Sequence, residues 1–107
     1  INTENTPQAE SLLLIERTMI EHIDNQISNL LKKRMLTAEK IASIKKENNI
    51  PILQPSQWSK VVERYQKEAL PDSCYQKFLE EYLNILHHYS LERQQNILID
   101  RKSPKDE

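Results

Sequence analysis

Residues 13–45 read LLIERTMIEHIDNQISNLLKKRMLTAEKIASIK. Taken in alternating steps of four and three, this stretch gives Leu13, Arg17, Ile20, Asp24, Ile27, Leu31, Arg34, Ala38, Ile41 and Lys45. That spacing is one face of a long α-helix. Such a face normally carries apolar residues, because it is the side that leaves water. Four of these ten positions are charged, and three of the four are cationic. A buried cation costs several kcal/mol or so unless something pairs with it, and Asp24 can compensate at most one. The pattern implies positive charge held in a half-buried groove, where an anionic ligand would balance it.

The helical reading extends outward from this stretch. No Pro or Gly interrupts residues 9–48, and the whole chain contains no glycine. Without glycine there is neither a P-loop nor a dinucleotide-binding turn, and a hairpin-rich β fold lacks its usual turn residue. A helix over 9–48 would be about 60 Å long, whereas a compact monomer of this size has a radius of gyration of about 13 Å. The helix would overhang its own domain, yet Ile41 and Ile44 keep it apolar to its far end. The same helix of a second copy is the expected cover, giving an intertwined homodimer.

Downstream, Asn48, Asn49 and Pro51 end the first helix, and IPILQP (50–55) is a loop. A second helix is expected from Pro55 or Ser56 to about Glu68, with Trp58, Val61, Val62 and Tyr65 as its core side. Leu70, Pro71 and Asp72 break the chain again, with Asp72 or Ser73 as N-cap. A third helix follows over about 73–98, and its inner row reads Leu79, Leu83, Leu86, Ser90, Gln94, Ile97. This row also turns polar near one end, with a hydroxyl and an amide one turn apart. The expected fold is all-α, three helices with one very long N-terminal helix. Residues 1–8 form a frayed N-terminus, 9–100 one helical domain, and 101–107 a charged tail.

The two polar rows can be placed against each other. Arg34 and Lys45 are close to three turns apart, about 16 Å, and point the same way. Arg17 lies about 26 Å before Arg34 on a straight helix, too far for one small ligand to touch both in one chain. In an antiparallel dimer, Arg17 of one chain can reach the site of the other. That geometry gives two equivalent sites, each built from both chains.

Composition removes other readings. With 107 residues and a net charge of −1, the chain has no basic excess to attract nucleic acid or an acidic membrane. No run approaches the 18 or so apolar residues of a membrane span. Cys74 is the only cysteine, so no intrachain disulfide forms. His22, His87 and His88 lack metal-ligand spacing, and no cofactor is expected. Lys32-Lys33-Arg34 is a weak basic cluster, and at a net charge of −1 it carries no nucleic-acid reading. Taken singly, Arg17, Arg34 and Lys45 read as snorkelling surface residues, Ser90 as a helix back-bonder, and Asp24 as half of a structural ion pair. Only their shared rows suggest a site. A cytoplasmic location is expected, although the polar N-terminus would also suit the mature end of an exported protein.

Five segments carry a family resemblance: LLLIER with Arg17, LLKKR with Arg34, IASIKK with Lys45, the IPI loop, and YSLERQQ with Ser90 and Gln94. In this order and spacing, residues 12–95 resemble the all-helical chorismate mutases, an intertwined-dimer family that also contains isochorismate-pyruvate lyases. The resemblance implies an isomerase of the shikimate pathway that converts chorismate to prephenate. It implies that Arg34 and Lys45 bind the two substrate carboxylates, that Lys45 and Gln94 meet the ether oxygen, that Ser90 contacts a carboxylate, and that Arg17 enters the partner's site. Many members carry Asp and then Arg-Glu where Gln54, Gln57 and Trp58 stand here, and that Arg-Glu pair handles the ring hydroxyl. Gln54 and Gln57 remain candidate binding residues without charge, and Trp58 offers one indole donor. The tract HHYSLERQ also resembles the lyases, so isochorismate is an alternative substrate. A degenerate regulatory or dimerisation domain without chemistry is the third reading.

Overall fold

The computed structural model describes residues 6–101. Its elements are three helices, α1 (Pro7–Glu47), α2 (Pro55–Lys67) and α3 (Ser73–Arg101), with no strand among the described residues. The all-helical, three-element reading holds, including the long first helix. The expected tail beyond Arg101 and the first five residues lie outside the described chain. Among the described residues no helix is long and apolar enough to cross a membrane.

Local chemistry explains each boundary. α1 starts two residues earlier than the apolar pattern suggested. Thr6 caps it, its Oγ1 accepting from the Ala9 N–H at 3.0 Å, and Pro7 occupies the first helical position. Proline suits that position because its missing N–H would have had no partner there. At the other end Asn49 adopts φ 55°, the left-handed conformation usually given to glycine. Its N–H donates to the Lys46 carbonyl at 3.4 Å, and the Ile50 N–H donates to the Lys45 carbonyl at 2.8 Å. This pair of bonds is a Schellman motif, with asparagine serving where the chain has no glycine.

α2 opens on Pro55, and the Gln54 carbonyl accepts from the N–H groups of Gln57 (3.0 Å) and Trp58 (3.1 Å). α3 is capped by Asp72, whose Oδ1 accepts from the Tyr75 N–H at 2.7 Å. The Gln76 side chain reaches back to the Leu70 carbonyl at 2.9 Å and ties the turn to the helix.

The chain divides after Arg34 into two compact units. In the first, every side chain from Glu10 to Lys33 is exposed. These include Leu12, 64% exposed, and Met19, Ile20, Ile23, Ile27 and Leu30. A single helix has no partner of its own against which to bury such a face.

The second unit holds the rest of α1 with α2 and α3. Its core is Ala38 and Ala42 from α1 and Leu79, Leu83 and Leu86 from α3. The inner row expected on α3 is the observed one, with Ser90 and Ile97 half-buried and Gln94 buried. Trp58, Val61, Val62 and Tyr65 are the half-buried residues of α2, as its pattern required. On α1 the expected stripe is corrected at one point. Ile41 is 43% exposed and Ala42 is wholly buried, so the inner face runs Ala38, Ala42, Lys45. A methyl side chain fits where the helix is fully covered, and the longer Ile41 falls on the open side. At one end of α2 and α3 the Tyr65 and Tyr82 hydroxyls lie 3.0 Å apart, closing that end with a polar link.

Candidate active site

The site grows from the end of α1. The Schellman turn reverses the chain after Asn49, and the following loop brings the Ile52 carbonyl to the Lys45 ammonium at 2.6 Å. The same ammonium donates to Gln94 Oε1 on α3 at 2.9 Å. An ammonium has three N–H donors and no acceptor, so two of its three donors go to protein oxygens. The pairing also fixes the amide of Gln94. Only its oxygen can face a lysine, which leaves Nε2 as the outward donor.

Gln94 is 6% exposed and is the one buried polar residue among those described. Its Nε2 donates to the Ser90 carbonyl at 3.3 Å, beyond the usual range for an N–H···O bond. A weak bond of this kind is readily exchanged for a better acceptor. Ser90 is half-buried one turn before Gln94, on the same side of α3. A cation and an amide donor therefore meet at the junction of α1 and α3, with Ser90 one turn away on the same side of α3.

Burial lowers the pKa of the Lys45 ammonium below the ordinary lysine value, because the charged form loses water. Its two partners are a carbonyl and an amide, and neither returns a full negative charge. An anionic ligand would supply what these neutral acceptors do not. Beside the pair, Arg93 Nε donates to Glu39 Oε1 at 2.6 Å and braces α3 against α1.

The structure brings Lys45, Ser90 and Gln94 together. Gln54 is exposed at the N-cap of α2, and Gln57 is exposed in the first turn. Arg17, exposed, and Arg34, half-buried, belong to the unit that ends at Arg34. One participant has no signal in the sequence: the Ile52 carbonyl is backbone, and side-chain patterns do not mark it. Trp58, on the inner side of α2, packs on α3 by stacking on His87, with ring centroids 4.0 Å apart and planes 5° apart.

Across residues 16–95 the chain matches the family model for chorismate mutase type II. The match covers most of the chain, and the chain belongs to that family. Neither the curated proteins nor the solved structures give a match.

Proposed function

We propose that the protein is a chorismate mutase that converts chorismate to prephenate in the cytoplasm, acting as a homodimer with two composite sites. The observation that carries this reading is the Lys45–Gln94 pair, a partly desolvated cation hydrogen-bonded to a buried, oriented amide donor.

The rearrangement breaks a C–O bond while a C–C bond forms, with no proton transfer and no covalent intermediate. The protein needs to hold a dianion in its compact reactive conformer and to place donors where negative charge grows on the ether oxygen. Lys45 offers its third N–H, and Gln94 exchanges its long bond to the Ser90 carbonyl for the ether oxygen. Arg34 and the Ser90 hydroxyl bind carboxylate oxygens, and Arg17 enters from the partner subunit. Gln54 and Gln57, exposed at the start of α2, would offer the substrate neutral hydrogen-bonding groups.

The dimer is supported by the apolar residues that α1 leaves in water between Leu12 and Leu31. A second copy provides the face they lack. The test is turnover. Purified protein is given chorismate and, separately, isochorismate, and prephenate and salicylate are followed. Prephenate that collapses in Lys45→Ala supports the proposal. Salicylate from isochorismate alone would assign the lyase activity instead, and no turnover of either would leave a regulatory or dimerisation domain.

A further inference from the structure

Lys45 is held twice by the loop that follows it. It lies in the last turn of α1. Its backbone carbonyl accepts from the Ile50 N–H at 2.8 Å, and its ammonium donates to the Ile52 carbonyl at 2.6 Å. Pro51 alone stands between Ile50 and Ile52. Its ring fixes its own φ, and it biases Ile50 toward extended backbone. Stiff chain therefore joins the two points of attachment, so the first sets where the second falls.

The first attachment depends on Asn49. For the Ile50 N–H to turn back on Lys45, Asn49 takes φ 55°. A Cβ crowds the following carbonyl oxygen in that conformation, and only glycine is free of the clash. The chain has no glycine, and asparagine is among the few other residues that visit this region. Its neighbour serves the helix end instead, Asn48 Nδ2 donating to the Ile44 carbonyl at 2.8 Å. Asn49 itself is exposed, so what it gives the site is a backbone angle.

That angle matters because a lysine ammonium is a point charge on a flexible four-carbon stem. Water and the last carbonyls of α1 compete for it. The Ile52 carbonyl takes one of its donors, and Gln94 Oε1 takes another at 2.9 Å. Released from Ile52, the ammonium would return to water and leave the buried amide of Gln94 without its partner.

We propose that Asn49 is a positioning residue for Lys45: its left-handed backbone turns residues 50–52 onto the lysine and so holds the ammonium against Gln94. This role rests on the mutase reading, in which Lys45 meets the ether oxygen, and adds to it a residue that acts only through Lys45.

The experiment compares Asn49→Gly, Asn49→Ala and Asn49→Val. Glycine takes the angle freely, alanine at a cost, and a β-branched residue only as an outlier. For prephenate formation, kcat should stay within about twofold of wild type in Asn49→Gly and fall about tenfold in Asn49→Val, with KM changed less. Asn49→Ala should lie between, at a loss of about threefold, and decides the matter against Asn49→Gly if Asn49→Val does not fold. The second readout needs no turnover. It is the exchange of the Lys45 ammonium protons with water, followed by NMR at mildly acidic pH and assigned by the signal missing from Lys45→Arg. Exchange should be about tenfold faster in the alanine and valine variants and unchanged in Asn49→Gly. Wild-type kcat in all three variants, with lower melting temperatures for alanine and valine, would confine Asn49 to helix stability and overturn the proposal. Unchanged exchange in the alanine and valine variants would overturn it, as would a glycine variant as slow as the alanine one. If the wild type makes no prephenate, the mutase reading fails, and exchange that quickens in Asn49→Ala but not in Asn49→Gly still upholds the positioning.

Discussion

Lys45 on α1 and Gln94 on α3 are 49 residues apart in sequence and meet in a 2.9 Å hydrogen bond. The bond orients the amide, and the lysine in turn is held by the Ile52 carbonyl. Each group so acquires a fixed direction before any ligand arrives, which is the condition for electrostatic stabilisation of a transition state. Removing either side chain should reduce kcat by about 10²–10³-fold, with a smaller effect on KM, because these bonds strengthen as the ether oxygen gains charge. Steady-state kinetics of Lys45→Ala and Gln94→Ala measure this. Equal loss in KM with unchanged kcat would reassign both to ground-state binding.

Gln94→Glu gives a sharper test. A carboxylate at this position would pair with Lys45 and lose the donor that the amide nitrogen supplies. Only its protonated form can donate. The variant should be about 10²-fold or more slower than wild type near pH 7 and should recover activity as the pH falls. A pH–rate profile parallel to that of wild type would mean that Nε2 is not the donor.

The lowered pKa of Lys45 has two consequences with defined signs. Desolvation disfavours the ammonium in the folded protein, so kcat/KM should fall on the alkaline side at a pH below the ordinary lysine value of about 10.4. Bound dianion restores the charge, and the limb for kcat should lie at higher pH. For folding, the unfolded chain holds this proton more tightly than the native chain. Stability contributed by Lys45 therefore rises with pH between the folded and unfolded pKa values, and below the folded value the desolvation penalty is present in full. Thermal melts of wild type and Lys45→Met across alkaline pH isolate this difference.

The helices were legible because their ends are marked by chemistry that acts locally. Pro55 at the first position of α2 and the Asp72 cap of α3 are visible in the sequence, and the leucines of α3 keep a strict helical period. Lys45, Ser90 and Gln94 could be paired because each is a polar residue on a row that should be dry. The remainder depends on tertiary placement. Choosing Ala42 over Ile41 as the inner residue requires the direction of approach of the neighbouring helices. The 2.6 Å bond to Ile52 uses a backbone carbonyl that any residue could supply. The Trp58–His87 stack joins two helices whose relative offset no single periodicity contains.

The Arg93–Glu39 bridge should act mainly on the placement of α3. Both side chains are partly solvated, so their coupling in a double-mutant cycle should be about 0.5–1 kcal/mol and should shrink in high salt. Glu39→Gln should also lower kcat modestly by loosening the Lys45–Gln94 contact. Identical kcat with reduced stability would confine the bridge to folding.

The proposed composite site makes a prediction that no single-chain enzyme can satisfy. On that proposal Arg17→Ala would remove the residue a chain lends to its partner, and Lys45→Ala the residue it keeps. Each variant alone should be nearly inactive. Mixed after unfolding and refolding, half of the dimers would be heterodimers, and one of their two sites would draw a native Lys45 from one chain and a native Arg17 from the other. Activity should recover to about a quarter of the wild-type level, as expected for two-fold symmetric pairing. The recovery needs chain exchange, so mixing without unfolding should restore less if the dimer is tight. Ile23→Asp, which places a charge on the exposed apolar face of α1, should abolish both the recovery and the dimer observed by sedimentation. A monomer retains that charge at little cost, since a substitution on a solvated surface usually changes stability by about 0.5 kcal/mol or less. Unchanged sedimentation of Ile23→Asp together with failed complementation would therefore show that Arg17 is not shared between chains, and would overturn the composite site.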